Sequence, residues 1–185
     1  MLKLLKKRFE IIKSIIVDSD VSEKVPLGSC LESVFQLYGY KKWRLKKNLY
    51  FTQEFGHNKV TIKGSTVYWP SGADVRRLVD MYFEIFEDNC HKFDDSGTEI
   101  DRGDIVVDAG CCEGYFALKA LNGGAKTVYC FEPGRQVSNC LELTFNNAIK
   151  NGKVVIENSL LGDIESEFLF EEDLEDPTFE YCAPV

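Results

Sequence analysis

The sequence predicts an α/β protein: a half-sheet of parallel strands alternating with helices, preceded by a small α+β N-terminal region. Three observations carry this. The apolar run Ile105-Val106-Val107 ends in Asp108-Ala109-Gly110 and leads into a helical pattern from Glu113 to Leu121. A short apolar run closed by a glycine turn suits a buried parallel strand feeding a helix. A second run, Thr127-Val128-Tyr129-Cys130-Phe131, ends in Glu132-Pro133, and a third, Val154-Val155-Ile156-Glu157-Asn158, follows another helical stretch. Such alternation implies right-handed crossovers and parallel strands. The division expected is 1–70 for N-terminal helices and a β-hairpin region, and 71–185 for the α/β part.

Composition narrows the class. A hydrophobic content of 44% with 12% aromatics excludes disorder as a description of the whole chain. A net charge of −8 gives no global attraction to nucleic acid, and no nucleic-acid partner is expected. No apolar run approaches the roughly 20 residues that span a bilayer, and the first residues lack the pattern of a secretory signal. The seven cysteines include no CxxC pair, so no metal site is expected. They read as free, mostly buried thiols in a reducing cytoplasm.

Taken in order, Leu2, Leu5, Phe9, Ile12 and Ile16 recur at helical spacing with lysines between them. A membrane-surface helix is one reading; a helix docked on the domain with its lysines in water is the favoured one. Ser29-Cys30-Leu31-Glu32 is a capping box opening a helix through Tyr38. Lys41, Lys42, Arg44, Lys46 and Lys47 surround Trp43. That cluster could grip phosphate, but a solvated loop or edge strand is preferred. From Leu49 to Trp69 the pattern is strand-like and self-contained, with Gly64-Ser65 as a hairpin link and His57 in a turn. Neither His57 nor His91 has a partner at ligand spacing. After Pro70–Asp74, an apolar face of Val75, Leu78, Val79, Tyr82, Ile85 and Phe86 marks a helix, then Asp94–Gly97 a loop and Asp101–Asp104 a tight turn.

Within the α/β part the predicted strands are 104–109, 126–131 and 154–158, and the helices are about 113–121 and 135–150. Val137, Leu141, Phe145 and Ile149 share one face of the second helix. Glu167–Phe170 reads as an added strand, Glu171–Asp176 as a solvated acidic loop, and Tyr181–Ala183 as the start of another strand. Three parallel strands are half of a doubly wound sheet, leaving the first with one neighbour only. The expectation is a chain cut from a longer one, or an edge covered by another chain such as a second copy.

The turn Asp108-x-Gly110-x-x-x-Gly114 carries the chemistry. A dinucleotide fingerprint needs glycine where Cys112 and Tyr115 stand, which disfavours a nicotinamide cofactor. Asp108 puts negative charge where phosphates would lie. A cationic, phosphate-free cofactor, S-adenosylmethionine, suits the turn, with its ammonium on Asp108 and its ribose on Glu132.

Val106 to Phe116, followed by Val128-Tyr129-Cys130-Phe131-Glu132-Pro133, resembles the FkbM-type S-adenosylmethionine-dependent methyltransferase family, as do Asn146-Asn147 and Asn158 to Asp163. The resemblance covers about residues 74–185. It implies a Rossmann-like class I methyltransferase half-sheet and transfer to a hydroxyl of a small molecule or glycan. It also implies cofactor contacts at Asp108, Gly110, Cys111, Cys112, Gly114, Tyr115, Phe116, Glu132, Pro133, Ser159 and Leu160. Cys111-Cys112 departs from the family's small residue and Asn, and no catalytic residue carries over. The competing reading is a non-catalytic cofactor-binding or interaction module.

Overall fold

The computed structural model describes residues 38–87, 99–163, 168–172 and 180–184, with side chains over 42–87 and 99–163. The predicted basic helix, the capping box, His91, the Asp94–Gly97 loop and Asp173–Asp176 of the acidic loop lie outside the described residues. The chain divides into two compact units, 1–44 and 45–185. Of the first, the described part is the start of helix α1, Tyr38–Lys47.

That helix corrects the expectation of a basic loop or edge strand. Lys, Arg and Leu are good helix formers, and the segment from Tyr40 onward holds neither Gly nor Pro. Lys46 pairs with Asp80, so part of the basic run is neutralised locally.

Strands β1 (Phe51–Glu54), β2 (His57–Ile62) and β3 (Ser65–Trp69) form an antiparallel sheet in that order. Phe55-Gly56 and Lys63-Gly64 each turn the chain with both residues at positive φ, the hairpin geometry that matches strand twist. The second link is therefore Lys63-Gly64, one residue before the predicted Gly64-Ser65. His57 opens β2 instead of lying in a turn, and its Nδ1 is 3.3 Å from Cys140 Sγ. Nor is the sheet self-contained: Tyr68 donates its backbone N–H to Thr144 Oγ1 at 2.9 Å.

Helix α2 is short, Arg77–Tyr82, and continues as a π-helical turn, Phe83–Glu87. Leu78, Val79, Tyr82, Phe83 and Ile85 are buried on it. The widened turn adds Phe83 to the predicted apolar face.

The α/β half follows as β4 (Ile105–Ala109), α3 (Tyr115–Gly123), β5 (Thr127–Phe131), α4 (Arg135–Thr144), α5 (Asn146–Lys150) and β6 (Val154–Glu157). The predicted second helix is broken at Phe145, which leaves helical geometry at φ −101°, ψ 13°. The sheet order is β4-β5-β6, all parallel, a Rossmann-like half-sheet. One face carries Val106, Val128, Cys130, Val154 and Ile156 against Ala117, Ala120, Leu141 and Phe145 of the helical layer. The other is open: Ile105 is 64% and Val107 58% exposed. Strands β7 (Phe168–Glu172) and β8 (Glu180–Pro184) pair antiparallel in a separate sheet, so Glu171 and Glu172 are strand and not loop. No helix among the described residues is long and apolar enough to cross a membrane.

Candidate functional site

Open parallel sheets hold ligands at the carboxyl ends of their strands, and the site lies there, between β4 and β5. After Ala109 the chain reverses through Gly110 (φ 76°) and Cys112 (φ 46°) and enters α3 at Gly114 (φ 85°). Gly110 faces open space, since a Cβ there would meet nothing within 4 Å; its backbone angle alone asks for glycine. Gly114 is different. A Cβ on it would sit 2.7 Å from Phe145 Cε2 and 2.9 Å from Leu141 Cδ2, so its missing side chain lets α3 and α4 close up.

Cys112, where the dinucleotide fingerprint has its second glycine, is in the left-handed region, at a cost on the order of 1–2 kcal/mol for a non-glycine residue. Its N–H donates to Glu132 Oε2 at 2.8 Å, which offsets the strain. Gly134 N–H donates to Glu132 Oε1 at 2.8 Å, so one buried carboxylate ties the turn after β4 to the turn after β5. Asn158 adds a second tie, donating from Nδ2 to the carbonyls of Glu132 and Pro133 at 2.8 and 2.9 Å.

The turn's other amides also point inward. Gly110 and Cys111 both donate to the Phe131 carbonyl, at 2.9 and 3.1 Å, and Gly114 donates to the Cys111 carbonyl at 2.9 Å. Phosphate cradles need outward amides, and here those of the turn are engaged by the protein.

Two cavities flank Gly110. One, of about 260 Å³, is lined by Ile85, Asp108, Ala109, Gly110, Cys111, Cys112, Glu113 and Phe116. The other, of about 300 Å³, is lined by Ala109, Gly110, Phe131, Pro133, Ser159, Leu160 and Leu161. Eight of the eleven residues singled out from the sequence thus line one cavity or both: Asp108, Gly110, Cys111, Cys112, Phe116, Pro133, Ser159 and Leu160. Gly114, Tyr115 and Glu132 line neither. Tyr115 is fully buried against Tyr82, ring centroids 5.5 Å apart and edge-on, and its hydroxyl has no hydrogen-bond partner among the described residues.

Glu113 was not foreseen. It is buried on the first cavity, and loss of water, reinforced by Asp108, pushes its carboxyl up to about 7, against the pull of its own and Tyr115's backbone N–H groups and the Cys112 thiol. The Cys111 thiol is raised far above its usual range by its hydrogen bond with Cys130, then by burial and by Asp108. Burial, with Glu113 and Glu132, likewise raises Cys112. Both are protonated, and neither is a ready nucleophile at neutral pH. The signal for Glu113 was in the sequence, as a carboxylate inside the glycine-bounded turn, but the cavity it lines also takes Ile85 from the π turn.

No protein-family model and no curated protein matches the chain. The resemblance to the FkbM-type family thus stands on its residues alone. Among solved structures, wild-type Trm5b from Pyrococcus abyssi is similar over 72% of this chain, at 16% identity and a TM-score of 0.38. The chain spans 45% of that protein's length. A likeness this loose adds nothing to what the strand order establishes.

Proposed function

We propose that the two cavities bind S-adenosylmethionine and that the chain is a methyltransferase of the FkbM type, acting on a hydroxyl oxygen of a small molecule or glycan. The observation that carries this is the turn after β4: its amides are engaged within the protein, while Asp108 and Glu113 place two carboxyl groups on one cavity. A diphosphate would meet like charge at Asp108 and Glu113 and turn amides that are already engaged. A cation gains from both acids in a site with little water.

The residues on and beside the two cavities support this assignment. Asp108 takes the ammonium of the amino-acid head, with Glu113 beside it. Phe131, Pro133, Leu160 and Leu161 offer an apolar slot for the adenine. The ribose diol is assigned to Glu132, which lines neither cavity itself but whose partner Cys112 lines one and whose neighbours Phe131 and Pro133 line the other. When bound, the cofactor supplies a methyl group carried on a sulfonium. The chain's residues hold the ends of that cofactor and keep water from Asp108 and Glu113. The thiols Cys111, Cys112, Cys130 and Cys140 are free, which supports a reducing, cytoplasmic setting.

Glu132→Ala tests the reading. It removes the acceptor of two backbone amides and the proposed ribose contact, and should weaken cofactor binding by on the order of 2–3 kcal/mol, roughly 30- to 150-fold. Equilibrium dialysis with labelled S-adenosylmethionine measures it. Unchanged affinity in a folded variant contradicts the assignment, whereas binding by the wild type without transfer to any hydroxyl acceptor favours the non-catalytic module.

A further inference from the structure

We infer that Asp108, Cys111 and Cys130 form a three-donor site for a thiophilic divalent cation of the zinc class, at the base of the first cavity. Asp108 and Cys130 are opposite one another in the β4–β5 register, so their side chains leave the same face of the sheet. Cys111, three residues past Asp108, is folded back over β5 by its N–H bond to the Phe131 carbonyl. One ligand atom from each of the three side chains lies within 4.8 Å of the other two, and all three residues are buried. Zinc bonds of 2.0–2.3 Å to oxygen and sulfur set tetrahedral donors about 3.3–3.8 Å apart, so closure asks for a contraction on the order of 1 Å.

Two sulfurs and one carboxylate select zinc or cobalt over magnesium or calcium, which prefer oxygen alone. Asp108 and Cys111 both line the cavity, so the fourth coordination position faces it: three protein ligands and one open place. On binding, each thiol passes its proton to solvent and both sulfurs coordinate as thiolates, with no change of oxidation state. The expectation of no metal rested on sequence spacing. These ligands come from two strands and the turn between them, a constellation that no CxxC search detects.

The site goes beyond the cofactor reading and competes with it, because the cation and the cofactor's ammonium both need Asp108. The test is a titration of the full chain, reduced and chelator-stripped, with cobalt(II). A thiolate-to-cobalt charge-transfer band should grow to one equivalent, vanish when zinc is added, persist in Cys140→Ser and be lost in Cys130→Ser. No band in folded wild-type protein, or an undiminished band in folded Cys130→Ser, overturns the inference. Should Cys130→Ser not fold, X-ray absorption on cobalt-loaded wild type decides: two sulfur ligands support the site, and one or none overturns it. A chain that gives the cobalt band yet binds no S-adenosylmethionine leaves this site standing and removes the cofactor reading.

Discussion

Glu113 is the residue whose chemistry departs furthest from the sequence expectation. Its folded carboxyl titrates near 7 against an ordinary value of 4.5. Between those values the unfolded chain has released the proton that the folded chain still holds, so stability falls as pH rises from about 4.5 to 7. The penalty reaches up to roughly 3 kcal/mol above that window, by the conversion of pKa shift to free energy. Glu113→Gln removes it. In chelator-treated protein the variant should match wild type near pH 4 and exceed it by about 1–3 kcal/mol at pH 8 in urea unfolding. A variant that is destabilised equally at both pH values would show that Glu113 is not the titrating group. Asp108 and Gly110 were legible beforehand because the strand-turn-helix pattern is local. Glu113 was not, because the cavity it lines is completed by Ile85 of a π turn some thirty residues upstream.

At the scale of elements, two glycines of one motif have different duties. Gly114 lets α3 approach α4, so Gly114→Ala should cost roughly 2–4 kcal/mol through overpacking against Phe145 and Leu141 together with its positive φ. Gly110→Ala meets no neighbour and should cost about 1 kcal/mol from its backbone angle alone. Chemical denaturation of both variants checks the order, and equal costs would contradict it. A motif prints both as glycine; only the helix packing separates them. The same limit explains the elements misread from sequence. The basic run Lys41–Lys47 carries the charge of a loop or edge strand but the helix propensity of Lys, Arg and Leu, and propensity decides. The helix over 135–150 has an unbroken apolar face, and its break at Phe145 follows Thr144, whose hydroxyl donates to the Cys140 carbonyl and accepts the Tyr68 amide of β3. That tertiary contact leaves no trace in periodicity.

For the whole molecule, the sheet order β4-β5-β6 was legible from the alternation of strands and helices, and so was the one neighbour that β4 has among the described residues. Ile105 and Val107 remain exposed on the open face. We propose that a second copy covers this exposed apolar face beside the edge of β4. Light scattering should show concentration-dependent association of the full chain, reduced by Val107→Lys; a monomer at all concentrations contradicts the proposal. The claim on which the functional reading turns is that the cavities beside Gly110 accept a cation and reject a phosphate. Calorimetry on the metal-free chain with S-adenosylmethionine, S-adenosylhomocysteine and NAD measures this directly. The result expected is binding of the first two, no measurable binding of NAD, and loss of S-adenosylmethionine binding in Asp108→Asn. Tighter binding of NAD than of S-adenosylmethionine, or full S-adenosylmethionine affinity in a folded Asp108→Asn variant, would contradict it.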